Sequence, residues 1–448
     1  MIPRGGVPRK RVAGAALEAR MPKSRRPQKH RRPSERRAGA APSKRRGGPR
    51  APRPLARPQA AGSDAVLTKP LSESIRSGHP WVFADAVALP EAARTGDAVR
   101  LVDAGGAFVA WGTVDRDTPL AFRAWSVRED QPITDALLRD RLGQARALRA
   151  DVIPSGVTGY RVCHGENDGI PGLHLDWYDG VASLRTDGPL GRAWEDRFVR
   201  AAQQVLKPEA VVVRNRDVEG GKARLVAGQL EGERVIAEGD RRFWVDILHG
   251  QKTGFFLDQR DNRTRVGALA AGRRVLNVFA YTGGFSVAAA LGGATRVTTV
   301  DIAAPAVDTA ARSFALNGLD PAAHAFIAAD AFDVLAELEP RAPDAPDLIV
   351  LDPPSFVRNR ASMERGVRAY KKLNEMALRG LPPGGWLCTA SCSSHIDDER
   401  FLAIVRDSVA TVGRRATIAG RFGAGLDHPE RPGFPQGNYL QFVMVRVD

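Results

Sequence analysis

Cysteine is nearly missing from this chain, with three in 448 residues. Three cannot build a disulfide framework, and Cys163, Cys388 and Cys392 lack the spacing of zinc ligands, so neither a staple nor a metal is expected. No apolar run reaches the roughly 18 residues that a membrane span needs, and no signal-peptide hydrophobic stretch stands at the start. The expectation is a cytoplasmic protein in a reducing compartment, with no membrane contact.

Acids and large apolar side chains are also scarce, but only at one end. Residues 1–62 hold 19 Lys and Arg against two acids, Glu18 and Glu35, a charge of +17. The remainder, with 47 basic and 49 acidic residues, sums to −2, so the net +15 belongs to the tail. A segment of Arg, Pro, Ala and Gly cannot bury enough surface to offset its ordering entropy, and a disordered tail is expected. It reads as a polyanion-binding arm. A start site at Met21 or later, or a solubilising tail, are the other readings; its prolines argue against a transit peptide.

Beyond residue 62 the composition becomes that of a folded chain. Residues 63–128 alternate apolar and polar positions with Gly and Asp at turns, as in a small β-rich module. Leu137, Leu138, Leu142, Ala145 and Leu148 have helical spacing and predict a linking helix over 133–152. With it, residues 129–245 make a middle α+β unit. Residues 246–448 turn to a strand–helix rhythm: apolar strands over 273–280 and 296–303, then "AHAFIAAD", "PDLIVLDPPSF" and "GGWLCTASCSS". Repeated βα units with apolar strands predict an α/β, doubly wound parallel sheet of Rossmann-like type.

Ligands of such sheets lie beyond the carboxyl ends of the strands. Those ends carry "FAYTGGFS", Asp301, Asp330 and "LDPPSF". Ala280 and the pair Gly283 and Gly284 belong to a glycine turn that lets backbone approach a ligand. Asp301 suits a ribose diol, and Asp330 an adenine amine; each could instead cap the next helix. Several acids around one adenosine-like ligand repel a polyphosphate and suit a cationic sulfonium nucleoside. S-adenosyl-L-methionine is therefore the expected cofactor.

In "LDPPSF", tandem prolines stiffen the strand exit and hold Asp352 at the sheet edge. Cys392, just past the next strand, falls beside it. Methylating an exocyclic amine needs no sulfur, whereas methylating C5 of a pyrimidine needs a thiolate on C6. Cys392 is thus a candidate nucleophile, and Cys388, inside the strand, a packing residue. Asp352 could bond the cytosine amine or N3. In "QKTGFFLDQRDNR", a helix from near Leu257 would turn Gln259, Arg260, Asp261, Asn262 and Arg263 toward the sheet edge, unless it is an ordinary surface helix.

"SGHPWVFADAV", "QKTGFFLDQRDNR", "NVFAYTGGFSV", "LDPPSFVRNR", "SCS" and "DHPE…GNYLQ" resemble the ribosomal RNA large subunit methyltransferase I family over residues 66–448. The resemblance implies cytosine-5 methylation of ribosomal RNA by a class I methyltransferase domain behind an N-terminal PUA module and a middle α+β domain. It makes Cys392 the nucleophile, Asp301 the ribose contact, Asp330 the adenine-side acid and Asp352 the motif-four acid. No motif gives the base that takes the C5 proton; His395, Asp427 and His428 are the candidates. A homodimer is compatible with all of this, and an exocyclic-amine or guanine methyltransferase of ribosomal RNA, or a non-catalytic RNA-binding ribosome-assembly factor, are the competing readings. His79 and Trp81 stand out in the first module without an assigned role.

Overall fold

The computed structural model describes residues 64–215, 223–250, 252–357 and 360–448, so the reading of residues 1–62 as a disordered arm lies outside the described residues. The first module is a six-stranded sheet running from Ala65–Leu67 to Phe122–Ser126 around a core that includes Leu101, Val109 and Phe122. It meets the rest of the chain through Trp111 and Trp125, which are buried in the core of the middle module, and through Glu166. One carboxylate oxygen of Glu166 accepts from Trp81 Nε1 at 3.0 Å and from the buried Arg123 guanidinium at 2.8 Å. Trp81 and His79 also pack edge-on against Phe434, so both are joining residues of the fold.

The middle module is a five-stranded sheet packed on two helices, Asp135–Val152 and Gly188–Leu206. The Thr134 hydroxyl accepts the Leu137 N–H at 3.1 Å and caps the first helix, as its position before an apolar stripe requires. The hairpin Arg234–Glu238 and Arg241–Val245 comes next, and its Ile236, Phe243 and Val245 share a core with the C-terminal sheet.

Within the C-terminal domain the elements are α1 (Arg260–Leu269), β1 (Arg274–Val278), α2 (Gly284–Leu291), β2 (Arg296–Asp301), α3 (Ala304–Leu316), β3 (Ala325–Ala328), α4 (Ala331–Ala336), β4 (Leu348–Leu351), α5 (Met363–Gly380), β5 (Trp386–Ser391), α6 (Asp398–Thr411), β6 (Ala416–Phe422) and β7 (Gln441–Val447). The strand order is β3-β2-β1-β4-β5-β7-β6. The first five strands are parallel, and β7 runs antiparallel to both its neighbours. The order reverses between β1 and β4, which opens a crevice at their carboxyl ends.

A buried ionic seam joins the middle module to this domain. Arg149 donates to Asp168 at 2.6 and 2.8 Å and to the Asp427 carbonyl at 2.8 Å. Arg161 donates to Asp176 at 2.6 and 3.0 Å, and its backbone N–H reaches the Asp427 carboxylate at 2.9 Å. Arg260 lies 3.1 Å from Asp427 on the other side.

Candidate active site

The loop after β1 is strained. Phe279 and Tyr281 stand at φ 58° and 49°, a left-handed conformation that costs bulky residues about 1–3 kcal/mol each. Asp301, at the end of β2, holds the loop there: its carboxylate accepts from Tyr281 N–H at 2.8 Å and from Ala303 N–H at 2.9 Å. Asp301 is therefore not a helix cap. Ala280 N–H donates to the Val300 carbonyl at 2.9 Å, which fixes the loop to β2. Gly283, at φ 78°, cannot carry a Cβ because that atom would lie 2.7 Å from Ala310 Cβ. Its lack of a side chain serves the contact with α3, and the neighbouring Gly284 lines a small pocket that adjoins the crevice and shares Tyr281 and Asp352 with it.

The crevice is a cleft of about 150 Å³ walled by Asp301, Tyr281, Asp352, Cys392, Lys252 and Asp258, among others. Ile302, 75% exposed, borders it and offers a nucleobase an apolar face. Asp330 is outside this lining. It is exposed, and its carboxylate accepts the Phe332 N–H at 2.7 Å as the cap of α4.

Pro353 and Pro354 set Asp352 at the mouth of β4. A relay holds its carboxylate: Gln259 Nε2 donates to it at 3.0 Å, and Asn262 Nδ2 donates to Gln259 Oε1 at 2.7 Å. Burial, and next the charge of Asp258, push the Asp352 carboxyl up to about 6. Cys392 Sγ faces the Pro353 carbonyl at 3.9 Å, so both candidate residues meet on one wall. Burial pushes its thiol up to about 11; Lys252 opposes that shift, and Asp352 and Asp258 add to it. Cys388 is fully buried in β5 among apolar neighbours, a packing residue.

The other polar residues of "QKTGFFLDQRDNR" divide. Arg263 is buried against Glu238, and Arg260 pairs with Asp261 and Asp427, so neither is free for a ligand. Nor is this a surface helix, since Arg260, Asn262 and Arg263 are buried. None of His395, Asp427 and His428 lines the cleft. His395 is exposed, while Asp427 and His428 are buried in the seam beside Arg260 and Arg161. Sequence reasoning missed Lys252 and Asp258. The Lys252 ammonium donates to Asp258 Oδ2 at 2.7 Å, and Tyr439 Oη donates to the same oxygen at 2.6 Å. Lys252 and Asp258 both stand inside the quoted motif, and the signal was charge at the two ends of an apolar pair.

Asp301 keeps lone pairs for a ribose, Ile302 is a ready nucleobase face, and several acids exclude a polyphosphate, so the residues fit S-adenosylmethionine. Sheet order, strained glycine loop and acid-lined cleft define a class I S-adenosylmethionine-dependent methyltransferase. A model of the S-adenosylmethionine-dependent methyltransferase family matches residues 190–410, and one of a PUA-like domain matches 66–126. Ribosomal RNA large subunit methyltransferase I of Alteromonas mediterranea is 35% identical over 394 residues, 86% of this chain and 99% of its own length. A ribosomal RNA large subunit methyltransferase of Deinococcus radiodurans is 38% identical over 402 residues, 85% of this chain and 97% of its own. The chain belongs to the ribosomal RNA large subunit methyltransferase I family. The fold matches a putative SAM-dependent methyltransferase from Streptococcus mutans, with TM-score 0.74, 22% identity and coverage of 85% and 99% of the two chains. It also matches a putative methyltransferase complexed with SAH, with TM-score 0.75, 22% identity and the same coverage.

Proposed function

We propose that this enzyme forms 5-methylcytosine in large-subunit ribosomal RNA, with Cys392 as a transient covalent nucleophile. The supporting observation is that Cys392 and Asp352 share one cleft wall with Asp301. S-adenosylmethionine supplies an electrophilic methyl group, and Asp301 and Ile302 would hold its adenosine. The Cys392 thiolate bonds to C6 of cytosine while N3 takes a proton. Asp352, whose carboxyl burial pushes up to about 6, is suited to exchange that proton. C5 becomes electron-rich and accepts the methyl group. Loss of the C5 proton then expels the sulfur, and N3 gives its proton back. If an exocyclic amine were the target, Cys392 would be idle. The relatives' names support ribosomal RNA as substrate, and the PUA-like module supports recognition by shape and backbone contacts.

The test is methyl transfer to ribosomal RNA by wild type and Cys392→Ala, with S-adenosylhomocysteine affinity as a folding control. The mutant is expected to lose transfer and keep affinity. RNA carrying 5-fluorocytosine at the target is expected to trap the wild type covalently, because fluorine cannot leave C5 as a proton does. A Cys392→Ala enzyme with full activity would refute the cytosine-5 reading in favour of amine methylation.

A further inference from the structure

Lys252 has an unusual setting. Its backbone stands at φ 51°, in the left-handed region, and nearby Gly254 stands at φ 140°. This turn carries the ammonium over the Phe256 ring, 4.1 Å from its centroid, and onto Asp258 Oδ2 at 2.7 Å. Asp258 is itself buried, is fixed by Tyr439, and has its other oxygen unpartnered. The anchored ammonium stands in the same cleft wall as Cys392.

We propose that Lys252 is the counter-ion of the Cys392 thiolate, a positioning residue that acts through the sulfur and not on the base. Asp258 and Phe256 fix the ammonium in the cleft that Cys392 also lines, where negative charge must appear before the sulfur can attack. Lys252, Asp352 and Asp258 are the charged groups of the cleft that bear on Cys392, and Tyr370 lies close by. Lys252 is the cation among them, and its field opposes the effect of burial and of both carboxylates. The thiol proton leaves to solvent, Lys252 stays charged, and the Sγ electron pair is then available to C6. This inference rests on Cys392 being the nucleophile, but its test does not need methyl transfer.

The test is the rate at which iodoacetamide alkylates Cys392 in the full-length protein at pH 8, located by peptide mass spectrometry. Cys163 and Cys388 are fully buried, so they do not compete in the folded protein. One opposite charge close to an ionisable group shifts its pKa by about one unit or more, which is about tenfold in thiolate. Lys252→Met is expected to slow alkylation about tenfold, and Lys252→Arg to restore most of the rate. The preference for anionic iodoacetate over neutral iodoacetamide should also fall in Lys252→Met. That ratio cancels changes in thiolate fraction, so a merely structural role would leave it in place. Unchanged alkylation and an unchanged ratio in Lys252→Met would overturn the proposal. If that variant also bound S-adenosylhomocysteine more weakly, the lysine would belong to the cofactor. Should Lys252→Met misfold, Lys252→Gln carries the same readouts. An active Cys392→Ala enzyme would sink the nucleophile reading and leave the effect of Lys252 on the thiol to be judged by alkylation.

Discussion

Asp352→Asn is expected to stabilise the protein at neutral pH while it removes methyl transfer. An unfolded aspartate titrates near about 3.9, and in the fold this carboxyl is pushed up to about 6, by burial first and then by Asp258. The shift is about two units, so at about 1.4 kcal/mol per unit the ionised carboxylate destabilises the fold by about 3 kcal/mol. The raised pKa sets the sign. Below about pH 3 both states are protonated and the fold suffers no penalty. As pH rises the unfolded chain ionises first, and stability is lost until the folded carboxyl has ionised as well, above about 6. Asparagine does not titrate, and its oxygen can still accept from Gln259. The assay is denaturant unfolding of both proteins from pH 3 to 8. The mutant's advantage should be near zero at pH 3, grow through pH 4–6 and level off above 7. A pH-independent gap, or a mutant less stable at pH 8, would refute the assignment of a desolvated carboxyl.

Two further outcomes are expected. Asp301→Ala should weaken S-adenosylhomocysteine binding by about 1.5–3 kcal/mol, measured by calorimetry, because a charged acceptor for hydrogen bonds is lost and Tyr281 N–H is released. Equal affinities in a folded mutant would remove Asp301 from the site. Gly283→Ala should lower the thermal midpoint, with a cost of about 1–3 kcal/mol, because it forces a side chain to φ 78° and against Ala310. An unchanged midpoint would show that the turn relaxes freely.

The strand–helix rhythm of residues 273–391 is legible in the sequence because buried parallel strands read as apolar runs that stop at functional residues. β6 escapes that reading. It is an edge strand, half exposed, with a bulge between Ile418 and Gly420 that breaks its period. Asp301, Asp352 and Cys392 are visible for a local reason, since each is placed directly by where a strand ends. Lys252 and Asp258 are not, because their meaning comes from a left-handed turn and from Tyr439, far along the chain. Asp427 and His428 mislead for the opposite reason. A "DHPE" segment near the C terminus carries the right chemistry for a base, but arginines from two distant segments, Arg161 and Arg260, claim the carboxylate. Gly283 reads in the sequence as a place for a ligand, and the nearness of Ala310 gives it a packing role.

The seam around Asp427 also bears on how such a chain can recombine. A catalytic domain that is traded between proteins must be separable at a clean cut. Here a cut between the middle module and the sheet would take the Arg149 guanidinium from the Asp427 carbonyl and the Arg161 N–H from the buried Asp427 carboxylate, while Arg149 and Arg161 would keep Asp168 and Asp176. Separating the two units therefore costs buried hydrogen bonds. The first module is bound in as well, by the buried Glu166–Arg123 pair, by Trp111 and Trp125 in the core of the middle module, and by Trp194 Nε1, which donates to the Gly96 carbonyl at 2.9 Å. Its sheet has its own core, yet losing it would open the core of the middle module and leave the buried Glu166 without Arg123 and Trp81, so a replacement would have to rebuild that contact.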